Sequence, residues 1–321
     1  MLNKILLIRI LGNDLSSLHG ENQTYDNLKF TLQNEPEFKN TKKMYLLNRI
    51  YNNKNKKKLV GLLEKYNAEY LDLPFKIKDF NKIKFNTKLN TKKIYDTYNQ
   101  DLYDYNLYLI NNNGARNYCI NYGKKNNYDW IFPFDSNSYF TQDLFIEFSK
   151  IKNEDYIIIP QIRLANLNLQ NNYLLKKNIN YDKFPIQEPQ IGFHKKSKII
   201  FNDKIPYGFS PKAELLRVLQ VPGKWNKWND NMKYYNIKDR PKVKSNYKIL
   251  SKVVRLNPNH KNNGTRNFTN RIDGVNDLVL KIKNDTIEHF TVIENIGIKK
   301  NNNLIILLLC VVLIIIIKLK Y

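Results

Sequence analysis

From Ile5 onward the sequence alternates short apolar runs with segments of helical periodicity, and few architectures accept that pattern. Ile5 to Leu11 is an apolar run broken only by Arg9, and Gly12-Asn13-Asp14 turns it. Thr24 is placed to cap a helix whose apolar positions Tyr25, Leu28 and Leu32 keep helical spacing and which ends near Pro36. Met44 to Leu47 reads as a second strand, Leu59, Leu62, Leu63 and Tyr66 as the next helix, and Tyr70 to Leu73 as a third strand. Strand runs without polar alternation belong in a sheet buried on both faces. Alternating with helices, they predict an α/β domain whose mostly parallel sheet is flanked by helices.

The remainder reads in the same terms. Residues 76–104 are polar, Lys-rich and poorly periodic, as expected of a surface excursion, and Leu107 to Ile110 reads as another strand. Asn111-Asn112-Asn113-Gly114 opens a helix from Ala115 to about Lys125. Trp130 to Phe134 is a strand ending at Asp135-Ser136-Asn137. A helix around Leu144 to Phe148 and the strand Tyr156 to Ile159 follow, and Pro211 to Leu219 is the one clear helix beyond them. Without an internal repeat or a Pro/Gly linker, residues 1–299 are expected to form one soluble domain.

Residues 300–321 differ in kind. Leu304 to Ile317 is an uninterrupted apolar segment with lysines on both sides (Lys299 and Lys300, then Lys318 and Lys320), expected to be a C-terminal transmembrane helix. A helix of that length rises only about 21 Å against a hydrocarbon core of about 30 Å, so snorkelling lysines and local thinning complete the span. The apolar stretch Ile5 to Ile8 is too short for a signal peptide. The domain is therefore expected to face the cytosol, with its Asn-x-Ser/Thr sequons unmodified.

Composition limits the function classes. Asn, Lys, Ile and Tyr are abundant, and all have AT-rich codons, as in an AT-rich cellular parasite or a large DNA virus. The formal charge of +24 is carried mainly by Lys, at 44 of the 53 basic residues, spread along the chain without a nucleic-acid-binding signature. Nucleic acid is therefore not the expected partner. The nine Arg residues run against the bias, and Arg9, Arg49, Arg116, Arg163, Arg217 and Arg255 stand where a planar fork for phosphate or carboxylate is expected. Cys119 and Cys310 form no disulfide framework, and the four histidines lack zinc spacing.

Chemistry concentrates in two segments. Gly114-Ala115-Arg116-Asn117 at a helix start offers backbone N–H groups and a cation to a diphosphate. Asp135-Ser136-Asn137 at a strand end offers oxygens to a divalent metal. The alternative for Arg116 and Asp135 is an ordinary ion pair across a turn. The pairing of segments resembles glycosyltransferases of the GT-A type, the nucleotide-diphospho-sugar transferase fold, in which an Ala-Arg-Asn helix start precedes an Asp-x-Asp motif. Asn137 stands where most relatives have the second Asp, which removes a charged metal ligand. A closer resemblance is to a family with no assigned reaction. It is carried by Ile10-Leu11-Gly12-Asn13-Asp14, Asn22-Gln23-Thr24, Leu47-Asn48-Arg49-Ile50, Asn112 to Asn117, Pro133 to Asn137, Glu188-Pro189-Gln190 and Pro206-Tyr207-Gly208. Its link to glycosyltransferases rests on fold-level analogy.

The resemblance implies a membrane-tethered transferase that moves a sugar from a nucleotide-sugar donor to a glycan, lipid or protein acceptor. Gly12, Asn13, Asp14, Asn48 and Arg49 would then line the nucleotide. Arg116 and Asn117 would hold the diphosphate, and Asp135 and Asn137 a divalent metal, Mn or Mg. Glu188 is the candidate base for the acceptor hydroxyl, beside Asp135 as the other catalytic carboxylate, with Asp203 a lesser candidate. The competing expectation is a non-catalytic, basic, membrane-anchored binding or assembly protein that keeps the fold. Val221 to Trp228, with aromatic and cationic residues interleaved, is expected to tuck its tryptophans into the core rather than bind sugar.

Overall fold

The structure, a computed structural model, describes residues 3–15, 19, 22–83, 100–163, 186–209, 211–223, 225, 240–256 and 271–286. The expected order holds through β3, and the first half runs β1 (Ile5–Leu11), α1 (Gln23–Asn34), β2 (Thr41–Asn48), α2 (Asn53–Lys65), β3 (Tyr70–Leu73), α3 (Ile77–Asn81), α4 (Gln100–Leu109), α5 (Asn112–Lys125) and β4 (Trp130–Asp135). Then come β5 (Ser138–Tyr139), α6 (Gln142–Glu147), β6 (Tyr156–Arg163), β7 (Ile186–His194), α7 (Ala213–Val218), β8 (Tyr247–Ile249) and β9 (Val253–Arg255).

Alternation of side chains across the sheet explains why the strand runs lack polar residues. Leu6, Ile8 and Ile10 of β1 pack with Met44, Leu46 and Ile131 under Ala115 and Cys119 of α5. Ile5 and Leu7 face the other way, into Phe132, Phe134, Phe140 and Phe148. Tyr45 and Leu47 of β2 meet Leu28 of α1 and Leu59, Leu62 and Leu63 of α2. Helices thus cover both faces.

The nine described strands form one sheet in the order β3-β2-β1-β4-β7-β6-β9-β5, with β8 beside β6. β1 pairs parallel with both β2 and β4, and β2 with β3. β7 breaks the pattern by running antiparallel to β4 and β6. The sheet is therefore mixed, with parallel pairing in the majority, and it curls. β5 follows β4 after two residues, yet it pairs with β9 at the far end, Ser138 opposite Arg255. The Leu256 N–H donates to Asn137 O at 2.7 Å across the same seam.

Three expectations need correction. Leu107 to Ile110 is no strand: Leu107–Leu109 is the last turn of α4, whose Leu102, Tyr105 and Leu109 are buried at helical spacing. A four-residue apolar window cannot separate the two periods. The stretch 76–104 is not simply an excursion, since it contains α3 and the start of α4, with residues 84–99 outside the described set. Thr24 does not cap α1. The N-cap residue is Asn22, with no side-chain cap bond, and the Asp14 carboxylate accepts the Thr24 N–H at 3.2 Å instead.

By contacts the chain divides into Met1–Val275 and Asn276–Tyr321; of the second unit, residues 276–286 are described and helical. Leu304 to Ile317 lies outside the described residues, among which no helix is long and apolar enough to cross a membrane. Trp225 is buried and donates its indole N–H to Val221 O at 2.7 Å, a core role; Trp228 lies outside the described residues.

Candidate active site

The chain leaves β1 for β2 and β3 on one side and later returns to β4 on the other, so connections diverge where β1 and β4 end. A crevice opens outside the carboxyl ends of such strands. Here it is a cleft open to solvent, about 1030 Å³ when the space out to its mouth is counted. Gly12 and Asn13 line it from β1, Asn48 from β2, Arg116 from α5, Asp135 to Asn137 from β4, and Glu188 from β7. Tyr207, Gly208, Lys212, Arg255 and Arg271 also stand on its wall.

At its centre one carboxylate serves two cations. Asp135 Oδ1 accepts from Arg116 Nη2 at 2.6 Å, and Oδ2 from Lys212 Nζ at 2.9 Å and Gln190 Nε2 at 3.0 Å. The Arg116 and Lys212 side chains are each 3% exposed, and that of Asp135 26%. Burial pushes the Asp135 pKa up, but Lys212 and Arg116 more than offset this and hold it well below the usual 3.8. Burial pushes the Lys212 ammonium the other way, downward, against the pull of Asp135. The ion pair Arg116–Asp135 expected as an alternative is thus present, and it lies within the cleft.

The surroundings fix this centre in place. Arg9, fully buried on β1, donates Nε to Ser138 O at 2.9 Å and pairs with Glu35, which accepts the Phe140 N–H at 2.9 Å. The Ser138 hydroxyl receives Gln161 Nε2 at 2.9 Å and Gln190 Nε2 at 3.0 Å. The Asp135 carboxylate and the Ser138 hydroxyl of the β4–β5 corner are thereby engaged from neighbouring strands. At the start of α5, Asn111 accepts the Gly114 N–H at 2.8 Å. A Cβ on Gly114 would collide with that amide, so the capping contact needs glycine here. Asn113 bridges Arg116 Nη1 to the carbonyls of Asn202 and Pro211, tying the guanidinium to the loop that carries Lys212.

Three asparagine amides each clasp a loop backbone by both a donor and an acceptor. Asn13 bonds Arg49 O and Tyr51 N, both at 2.9 Å. Asn106 bonds Tyr207 O and N, both at 2.9 Å, next to Gly208 with its φ of 105°. Asn117 bonds Phe201 O at 2.9 Å and N at 3.1 Å.

The structure separates the expected site residues accordingly. Gly12, Asn13, Asn48, Arg116, Asp135, Asn137 and Glu188 converge on the cleft. Asn117 does not line it, being spent on residue 201. Asp14 anchors α1 through Thr24, its carboxyl pKa raised by burial. Arg49 turns aside to lie over the Tyr108 ring at 5.5 Å and to bond Asn48 Oδ1 at 3.1 Å. Asp203 is exposed and lines no part of the cleft. Sequence reading missed Lys212, one lysine among many, and Arg271, whose only mark was being Arg in a Lys-biased chain. It quoted Gln190, Tyr207 and Gly208 in motifs but gave them no role.

A divalent metal does not fit the residues present. Both oxygens of Asp135 already face cations, and a unit cation about 4 Å from a bound metal repels it by roughly 4 kcal/mol per charge at an effective dielectric near 20. Asn137 is buried, and its Oδ1 has no hydrogen-bond partner among the described residues, but it brings no charge. Among the described residues no three His, Cys, Asp or Glu side chains gather as ligands. The pairing of Asp135 with Asn137 as metal ligands is therefore not supported by the arrangement of their neighbours.

The chain matches no protein-family model and no curated protein.

Proposed function

We propose that this chain is a GT-A-like glycosyltransferase that takes a nucleotide-sugar donor into the switch-point cleft. The observation that carries this reading is the lining of that cleft: Arg116, Lys212, Arg255 and Arg271 stand against two carboxylates, Asp135 and Glu188. A cationic cleft at diverging strand ends suits a diphosphate whose charge grows as it leaves. In the transfer, an acceptor hydroxyl attacks the anomeric carbon and the bond from that carbon to the diphosphate oxygen breaks. Glu188 takes the hydroxyl proton, and the four cations stabilise the departing nucleoside diphosphate. Leu304 to Ile317 tethers the domain to a membrane, where a glycan, lipid or protein acceptor is met.

One contact favours the second reading, a non-catalytic binding or assembly protein of the same fold. Glu188 Oε1 accepts the Lys212 backbone N–H at 3.2 Å, a bond a purely structural carboxylate would also make. The test is thermal unfolding of the full-length chain in mild detergent with UDP-, GDP- and CDP-sugars, together with assay of nucleotide release. A rise in midpoint confined to one nucleotide class, with release of that nucleotide, is expected. A rise without release assigns the second reading, and no rise with any donor sinks the donor site itself.

A further inference from the structure

We propose that the cleft holds a nucleoside diphosphate without a divalent cation, Lys212 and Arg116 supplying the fixed positive charge. The inference rests on the nucleotide-sugar reading above and specifies how that site meets its ligand. Lys212 Nζ lies 2.9 Å from Asp135 Oδ2, on a strand end where such folds would seat a metal. Asp135 is already paired with Arg116, so neutralising that carboxylate does not require a second buried cation. Asp135 joins a desolvated ammonium to a desolvated guanidinium, and one carboxylate against two buried cations leaves a net positive charge for a further anion to offset.

Two further observations point to an anionic ligand. The Arg116 Nε–H is buried and has no acceptor among the described residues, although its two terminal nitrogens are engaged. Arg271 Nε on the cleft wall is in the same state, its guanidinium over Tyr207 at 5.9 Å. Buried N–H groups are rarely left without partners, and a phosphate oxygen satisfies a guanidinium well. The excess of cations over carboxylates also comes close to the roughly two negative charges of a nucleotide-sugar diphosphate.

Calorimetric titration of the full-length chain in mild detergent with UDP, GDP and CDP, once in EDTA and once in Mn²⁺, tests this. The nucleotide that binds is expected to show Kd values within about threefold in the two buffers. Lys212→Met weakens it at least about tenfold in both, Mn²⁺ does not restore it, and Lys212→Arg keeps most of the affinity. Binding that requires Mn²⁺, or a folded Lys212→Met that binds like the parent, overturns the proposal while leaving the transferase reading intact. If Lys212→Met loses its thermal transition, Arg255→Gln replaces it, with weakening in EDTA expected and unchanged affinity contrary. No binding of any nucleoside diphosphate in either buffer overturns the transferase reading and this one together.

Discussion

Asp135 is the one carboxylate between Arg116 and Lys212, and that position decides what its substitution reports. Asp135→Ala leaves two buried cations unpaired and is expected to cost about 3 kcal/mol or more in urea unfolding. Lost transfer in that variant therefore says nothing about metal or catalysis. Glu188→Gln is the cleaner probe, since the amide oxygen can still accept the Lys212 N–H. Turnover is expected to fall at least about 100-fold while nucleotide affinity stays within about threefold, read by kinetics and calorimetry. A pH dependence follows from the depressed pKa of Asp135. Its stabilisation is fully present above the ordinary 3.8 and is lost as pH falls from there through the lower folded value. The urea midpoint advantage of the parent over Asp135→Asn should accordingly shrink below about pH 4.

The helices and strands were legible wherever the pattern was long, as in α2 and α5, and ambiguous where it was short, as in the last turn of α4. What escaped notice was the use of asparagine. Its abundance follows codon bias, yet Asn13, Asn106 and Asn117 each hold a loop that shapes the cleft or its supports. Nothing in composition separates these from Asn126, which is exposed and whose side-chain amide donates to Tyr122 O one turn back on its own helix. Asn106→Ala should cost about 1–3 kcal/mol by leaving the Tyr207 N–H and C=O unanswered, and it should weaken nucleotide binding as that wall loosens. Asn126→Ala should stay within about 0.5 kcal/mol, and equal losses in the two variants would refute the distinction.

For the molecule as a whole, the apolar segment near the end of the chain carries its own prediction. Full-length protein is expected to sediment with membranes through an alkaline carbonate wash, and a chain ending at residue 299 to stay in the supernatant. Retention of the shortened chain in the pellet would refute the tether. The α/β class, the order of the first strands and the strand-end placement of Gly12, Asn48 and Asp135 were readable from residue order, because hydrophobic period and turn chemistry are local properties. Lys212, Arg255 and Arg271 joined the cleft, and Gln190 its Asp135 support, only through tertiary structure. The reversal of β7 and the curl that sets β9 against β5 bring residues distant in sequence beside Asp135. Such pairings are chosen by global packing and electrostatics, and no local pattern records them.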